Sequence, residues 1–385
     1  MSTSSSFAST AFNLYTTQQQ IEQCRPRLSR MSFVGDCFRV SGSVLPRIFP
    51  SVLCLTIYAT AIALADLVWQ QQWNTSYSVT SSLSVVVGLL LVFRNSTSYD
   101  RWYEGRKLWQ DATTTARTLA LLIWINVDAE REAEKRQARI ASKKRTLRLL
   151  TAFMVAVKHE LRAEPGTAWA DFKGVLPNEW IRASAIDANA DGASASANAK
   201  TSSSRTNTAM DVEQGAGLTT SSETQPLLLD AEHSVDDALP VSQRILAELH
   251  GYLASTRRAG LLDDAGPAGF SLLNTQLVAL STLASSMQRI STTPTPLIYA
   301  IHLKQSCFIY LLALPLALVG ELRWKMVPFV SVFSMMLIGL EGISSEIEDP
   351  FGEDKSDHPL DLWCSKLRWQ IELIIQSVVP AVDQE

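Results

Sequence analysis

Four apolar runs decide what this chain can fold into. They are Ile48–Trp69 (IFPSVLCLTIYATAIALADLVW), Tyr77–Phe93 (YSVTSSLSVVVGLLLVF), Leu297–Gly320 (LIYAIHLKQSCFIYLLALPLALVG) and Met326–Ile347 (MVPFVSVFSMMLIGLEGISSEI). A helix crosses the hydrocarbon core of a bilayer with about 20 apolar residues. The second run is shorter, about 25 Å as a helix, and its first half carries Ser78, Ser81, Ser82 and Ser84. A helix that faces only lipid has no use for four serines, whereas one that lines water or packs on other helices has. A single soluble domain rarely sorts apolar and charged residues so coarsely.

Orientation follows from the basic residues. Arg25, Arg27, Arg30, Arg39 and Arg47 precede the first run, and Arg94, Arg101, Arg106 and Lys107 follow the second. Both sides are therefore expected in the cytosol. Only ELRWK separates the last two runs, which forces an antiparallel helical hairpin. Its Arg323 and Lys325 run against the charge rule but are outnumbered on the cytosolic side. The expectation is an all-α protein with four transmembrane helices and a large cytosolic helical region. Both termini are cytosolic, and the plasma membrane is the expected site. The opening MSTSSSFASTAFNLYTTQQQ lacks the pattern of a secretory or transit peptide, so the first apolar helix itself is read as the targeting signal.

Composition divides the rest. Residues 1–29 read as a mobile N-terminal tail and 30–182 as the first two spans with cytosolic helices. Residues 183–238 are Ala/Ser/Asn/Thr/Gly-rich and bury too little to offset chain entropy, so they read as a disordered insertion. Residues 239–375 hold further cytosolic helices, the last two spans and an acidic segment after them; 376–385 form a C-terminal tail. A net charge of −4 gives no pointer to nucleic acid. Cys24, Cys37, Cys54, Cys307 and Cys364 have no CxxC pair or regular spacing, which argues against a disulfide framework or a zinc site.

Catalysis finds little support. GxSxG, P-loop, GxGxxG and HExxH motifs are absent, and the five histidines do not fall at metal-ligand spacing. Coupled transport usually places ionisable groups in mid-membrane. The acidic Asp66 lies within the first span, near its outer end. The second run is more informative. Val85, Leu89 and Phe93 recur at i, i+4, i+8 and share one helical stripe, which Ser78, Ser81 and Ser82 continue. Two readings stay open here: a core-packing stripe in a bundle, or an apolar constriction of a pore, which gates by dewetting. Four helices enclose no wide water path, so a pore requires a ring of subunits.

Three separated segments resemble the bestrophin family in its bacterial, fungal and plant forms. They are FRNSTSYDRWYEGRKLW at 93–109, QRISTTPTPLIYAIHLKQ at 288–305 and GLEGISSEIEDPFGEDKSDHPLD at 339–361. The likeness covers roughly 30–182 and 240–375. It implies a homopentameric ion channel in the lipid bilayer, passing chloride or other small anions, and not an enzyme. It also implies that Val85, Leu89 and Phe93 form the pore neck, with smaller side chains at the first two than many relatives have. Phe93 adds a physical argument, since aromatic ring edges carry positive potential. Arg94, Arg101 and Arg106 are then expected to line a vestibule and raise local anion concentration, unless they pair with Asp100 and Glu104. The same likeness places a cytosolic constriction near Ala268 or Phe270. It makes Glu346, Asp349, Asp354 and Asp357 the counterparts of Ca²⁺ ligands in animal members. Lys355 and Ser356 interrupt that acidic run, and bacterial relatives lack the site. The competing readings are a cation-permeable channel of the same fold and a non-conducting membrane scaffold.

Overall fold

The computed structural model describes residues 2–23, 42–69, 77–127, 133–177, 239–263 and 265–377, with residues 40, 179 and 180 besides. The proposed insertion and most of the C-terminal tail lie outside the described residues. Helices follow one another as α1 (Ser2–Gln23), α2 (Leu45–Trp69), α3 (Tyr77–Asn126), α4 (Ala133–Leu161), α5 (Val241–Arg258), α6 (Gly266–Thr292), α7 (Leu297–Leu322), α8 (Met326–Glu346) and α9 (Leu360–Ser377). No strand occurs among the described residues, so the fold is all-α as expected.

Among the described residues, three helical stretches are long and apolar enough to cross a membrane: Leu45–Val68, Thr80–Asn126 and Leu297–Glu346. The last is two helices, α7 and α8, joined by the 3-10 turn Arg323–Lys325. Arg323 takes a positive φ of 46° at this sharp reversal. The hairpin and the four spans thus stand where the sequence puts them. The helix that carries the second span does not end at Phe93. It continues without a break as α3 to Asn126, about 75 Å in all.

The chain forms two compact units. One comprises Met1–Phe12, Thr115–Ser281 and Lys366–Glu385; the other comprises Asn13–Thr114 and Thr282–Ser365. Each draws on sequence from both sides of the 183–238 stretch, so the units do not follow the linear division above. In the second unit, Leu55 and Ala59 of α2, Val87 and Leu91 of α3, and Leu311 and Leu314 of α7 share one apolar core. Helices α2 and α8 approach closely at Gly342, where a Cβ would meet Val44 Cγ1 at 2.7 Å and Ile48 Cγ2 at 3.2 Å. Thr56 crosses the same pair to donate to Ser331 Oγ at 3.2 Å.

In the first unit, α4 is covered on every side from Thr151 to His159. The sequence suggested one buried face; a helix buried all round is a core helix. Its ionic groups are matched accordingly. Arg148 makes a two-pronged bond to Glu372 at 2.6 and 3.1 Å. Lys158 pairs with Asp171, and His159 lies between Glu164 at 2.5 Å and Asp171 at 3.1 Å. Burial alone would raise the Asp171 carboxyl; bonds to His159 and Lys158 outweigh it and hold the carboxyl far below its ordinary range. Residues 2–23, expected as a mobile tail, are helical instead. Ala11 is fully buried and Phe12 lies 5.9 Å from the Trp369 ring. This stretch holds no Pro or Gly to interrupt a helix.

Candidate functional site

Helix α3 has two opposite faces in its membrane half. Val87, Leu91 and Arg94 are 2–3% exposed and Ser98 is fully buried. On the other side, Val85, Leu89 and Phe93 are 70%, 55% and 57% exposed. The stripe read from periodicity is therefore not the helix's packing face. Its own chain leaves it open among the described residues. The open face continues with Ser96, Asp100, Tyr103 and Lys107, and is preceded by Ser81 and Ser82, all of them exposed. Its apolar part is short, about 12 Å from Val85 to Phe93.

The three arginines behind the stripe are placed differently from the sequence expectation. Arg94 turns inward and donates to Thr295 Oγ1 at 2.6 Å and Glu348 Oε2 at 2.5 Å. Arg101 donates to the backbone oxygens of Ile290 (2.6 Å), Thr293 (2.7 Å) and Glu348 (3.3 Å). Arg106 lies 4.2 Å over the Trp363 ring and donates to Gln110 Oε1 at 3.3 Å. These contacts use the guanidinium groups to hold the segments around α3, and Arg94 is buried on the face opposite Val85, Leu89 and Phe93. The anticipated partners differ too: Glu104 pairs with Arg289 at 2.8 Å.

Glu348 is the centre of this clamp. It also accepts from the Thr295 amide at 2.9 Å and from the Thr295 hydroxyl. Burial alone would raise its pKa, but the bonds from Arg94 and Thr295 outweigh that and hold the carboxyl below its usual range. One residue thus joins α3, immediately after Phe93, to the link before α7 and the segment after α8.

The acidic segment docks on the next turns of α3. Phe351 is fully buried against Gly105, where a Cβ would meet Phe351 Cζ at 3.0 Å and Pro350 Cγ at 3.1 Å. Trp102 donates from Nε1 to Ser356 O at 3.1 Å, and His358 donates from Nε2 to Trp102 O at 2.9 Å. Gly105→Val is expected to push a stiff ring and a proline away from α3. The cost is about 1–3 kcal/mol, read as a lower Tm of the detergent-solubilised protein.

Glu346, Asp349, Asp354 and Asp357 do line one cavity of about 780 Å³, together with Arg47, Lys304 and Glu341. Three of the four side chains accept from other donors, Asp349 Oδ1 from the Phe351 amide at 3.3 Å. Asp357 Oδ2 accepts the Asp354 amide at 2.8 Å; Glu346 accepts from Ser356 at 2.6 Å and lies 3.8 Å from Arg47. Among the described residues no three acidic, His or Cys side chains converge as metal ligands. Ca²⁺ wants six to eight oxygens, and the side chains present do not fit it. Burial instead pushes the Asp357 carboxyl up to about 6, opposed by the Asp354 amide and aided by Asp354, Asp349 and Glu346. The fold therefore bears a cost for this charge above pH 6, which disappears below about pH 4, where neither folded nor unfolded chain carries it. Asp357→Asn keeps an acceptor for the Asp354 amide. It is expected to raise Tm at pH 7.5, with the gain shrinking toward pH 4 in thermal scans at fixed rate.

The family model described as Bacterial/Fungal Bestrophin protein matches residues 21–373. The chain belongs to this bestrophin family. The similar relatives of this bestrophin include the voltage-dependent anion channel-forming protein sll1024 of Synechocystis sp., 31% identical over 340 residues, covering 88% of this chain and 90% of that one. A protein of the same description, alr2987 of Nostoc sp., is 31% identical over 337 residues, covering 87% and 89%. A crystal structure of a bacterial bestrophin homologue from Klebsiella pneumoniae superposes with a TM-score of 0.61 at 24% identity, covering 86% of this chain and all of that one. That likeness is one of fold. The bestrophin is an integral membrane protein, and its relatives are named for channel formation rather than catalysis.

Of the cytosolic pair, Ala268 is exposed in the first turn of α6, and Phe270 is half-buried with the Arg257 guanidinium 4.4 Å over its ring. Sequence reasoning named Glu348 as pairing with neighbouring helices without its partners, and it missed Gly105 in this bestrophin. A glycine between charged and aromatic residues in mid-helix was the available signal for Gly105, since such a residue costs helix stability unless something approaches it closely.

Proposed function

We propose that this bestrophin-family chain assembles as a homopentamer around an axis lined by α3 and conducts chloride or other small anions passively. Val85, Leu89 and Phe93 are the dry neck. The carrying observation is the length of the open apolar stripe. A face turned to lipid must be apolar over about 30 Å, and this one is apolar over about 12 Å between exposed serines and an exposed Asp100. Water above and below, with a short dry zone between, is what a hydrophobic gate requires.

The anion reading rests on the names of the cyanobacterial relatives and on Phe93, whose ring edges present positive potential to a passing ion. It draws nothing from the three arginines. Ala268 and Phe270 remain the candidates for a second, cytosolic constriction. Both termini in the cytosol fit the bias of basic residues, and the plasma membrane is the proposed location.

The test is anion flux from chloride-loaded liposomes holding the purified protein, beside its mass in detergent by light scattering. Pentameric mass with chloride efflux supports the reading. A monomer that passes no ion supports the scaffold reading instead.

A further inference from the structure

With the arginines turned inward, another charge lies nearest the neck on the open face of α3. Asp100 follows Phe93 by seven residues, which is two turns and nearly the same angular position. It is exposed, and among the described residues it has no ion-pair partner. Lys107 continues the line by another seven residues and Asp111 follows it, both exposed. Basic groups on neighbouring positions of α3 are committed elsewhere: Arg101 to backbone oxygens and Arg106 to the Trp363 ring. Glu104 is held by Arg289.

We infer that Asp100 is a specificity-determining residue of the conducting path: in the ring of subunits it forms a circle of carboxylates just inside the neck that draws cations and restrains anions. This rests on the axial placement of α3 proposed above. The ring lies about 10 Å from Phe93 along the helix, comparable to the Debye length of about 8 Å at physiological salt. Its field therefore reaches the constriction. Charges of one sign around a narrow, low-dielectric passage change local ion concentration by about tenfold or more. Lys107 lies one ring further in and opposes it, so the pair sets the balance between anion and cation passage.

The experiment is the reversal potential of liposome-reconstituted protein in a KCl gradient, for wild type, Asp100→Asn, Asp100→Glu and Lys107→Gln. Asp100→Asn is expected to move the reversal potential toward chloride equilibrium, raising the chloride-to-potassium permeability ratio by about threefold or more. The shift is expected to be larger at 50 mM than at 500 mM salt (screening shortens the field's reach). Asp100→Glu should keep the wild-type ratio, and Lys107→Gln should move it the other way. Side chains this exposed tolerate such changes without loss of folding. An unchanged ratio in Asp100→Asn would overturn the inference. The Val85→Ala/Leu89→Ala/Phe93→Ala variant separates the two levels: if it conducts differently from wild type while Asp100→Asn does not, this inference alone fails. If neither differs, the axial placement fails with it.

Discussion

Alanine at Val85, Leu89 and Phe93 together is expected to hold the channel open. These side chains make no packing contribution to their own chain's core, because the helix buries its opposite face, Val87, Leu91, Arg94 and Ser98. Their replacement therefore spares the fold and changes the path. A dry constriction resists water and ions in proportion to its apolar surface. Each methylene group contributes about 0.8 kcal/mol, and every subunit of the ring loses several. Some 1.4 kcal/mol already corresponds to about tenfold in an equilibrium. Open probability in single-channel records should rise by at least about tenfold. The same substitutions at Val87 and Leu91 should instead lower stability without opening the pore, since those side chains fill the core shared with α2 and α7.

The second large effect is expected at the clamp. Arg94 is almost fully buried, and its partner Glu348 is mostly so. Removing one member of such a pair leaves a buried charge uncompensated, at a cost of about 3–5 kcal/mol. Arg94→Ala should therefore fail to accumulate or show a sharply lower Tm. Arg94→Lys keeps the charge and loses the fork that reaches Thr295 and Glu348 together, so its loss should be smaller. The double change Arg94→Ala/Glu348→Ala should cost less than the sum of the single ones, because it leaves neither charge stranded. Additive losses in that cycle would show that the two groups act independently. The clamp begins at the residue after Phe93, so weakening it should also alter gating in the variants that do fold.

The sequence displayed the membrane architecture almost entirely. Run lengths, basic flanks and a five-residue link placed the four spans and the terminal hairpin, because lipid leaves a helix few alternatives. Periodicity also grouped Val85, Leu89 and Phe93 on one stripe. It did not say which side of the helix meets the protein, since Val87 and Leu91 are as apolar as Val85 and Leu89. Burial separates them. The arginines were misplaced for a different reason. Arg94 and Arg101 find their partners at Thr295, Ile290, Thr293 and Glu348, about 200 or more residues away in the chain, and local spacing offered only Asp100 and Glu104. In the acidic segment, composition grouped the carboxylates correctly around one cavity. It did not show that backbone amides, Ser356 and Arg47 already engage Asp349, Asp357 and Glu346. The N-terminal stretch looked mobile because its residues are polar, yet it is helical, with Ala11 buried and the Phe12 ring beside Trp369.

Solvent access along α3 tests the central claim most directly. In a background with the native cysteines replaced, single cysteines at 85, 87, 89, 91 and 93 would be exposed to a small charged methanethiosulfonate reagent during current recording. Modification at 85, 89 and 93 should block or alter the current within the exposure, and 87 and 91 should stay silent. Current changes confined to 87 and 91, or the absence of any at 85, 89 and 93, would contradict an ion path along this face.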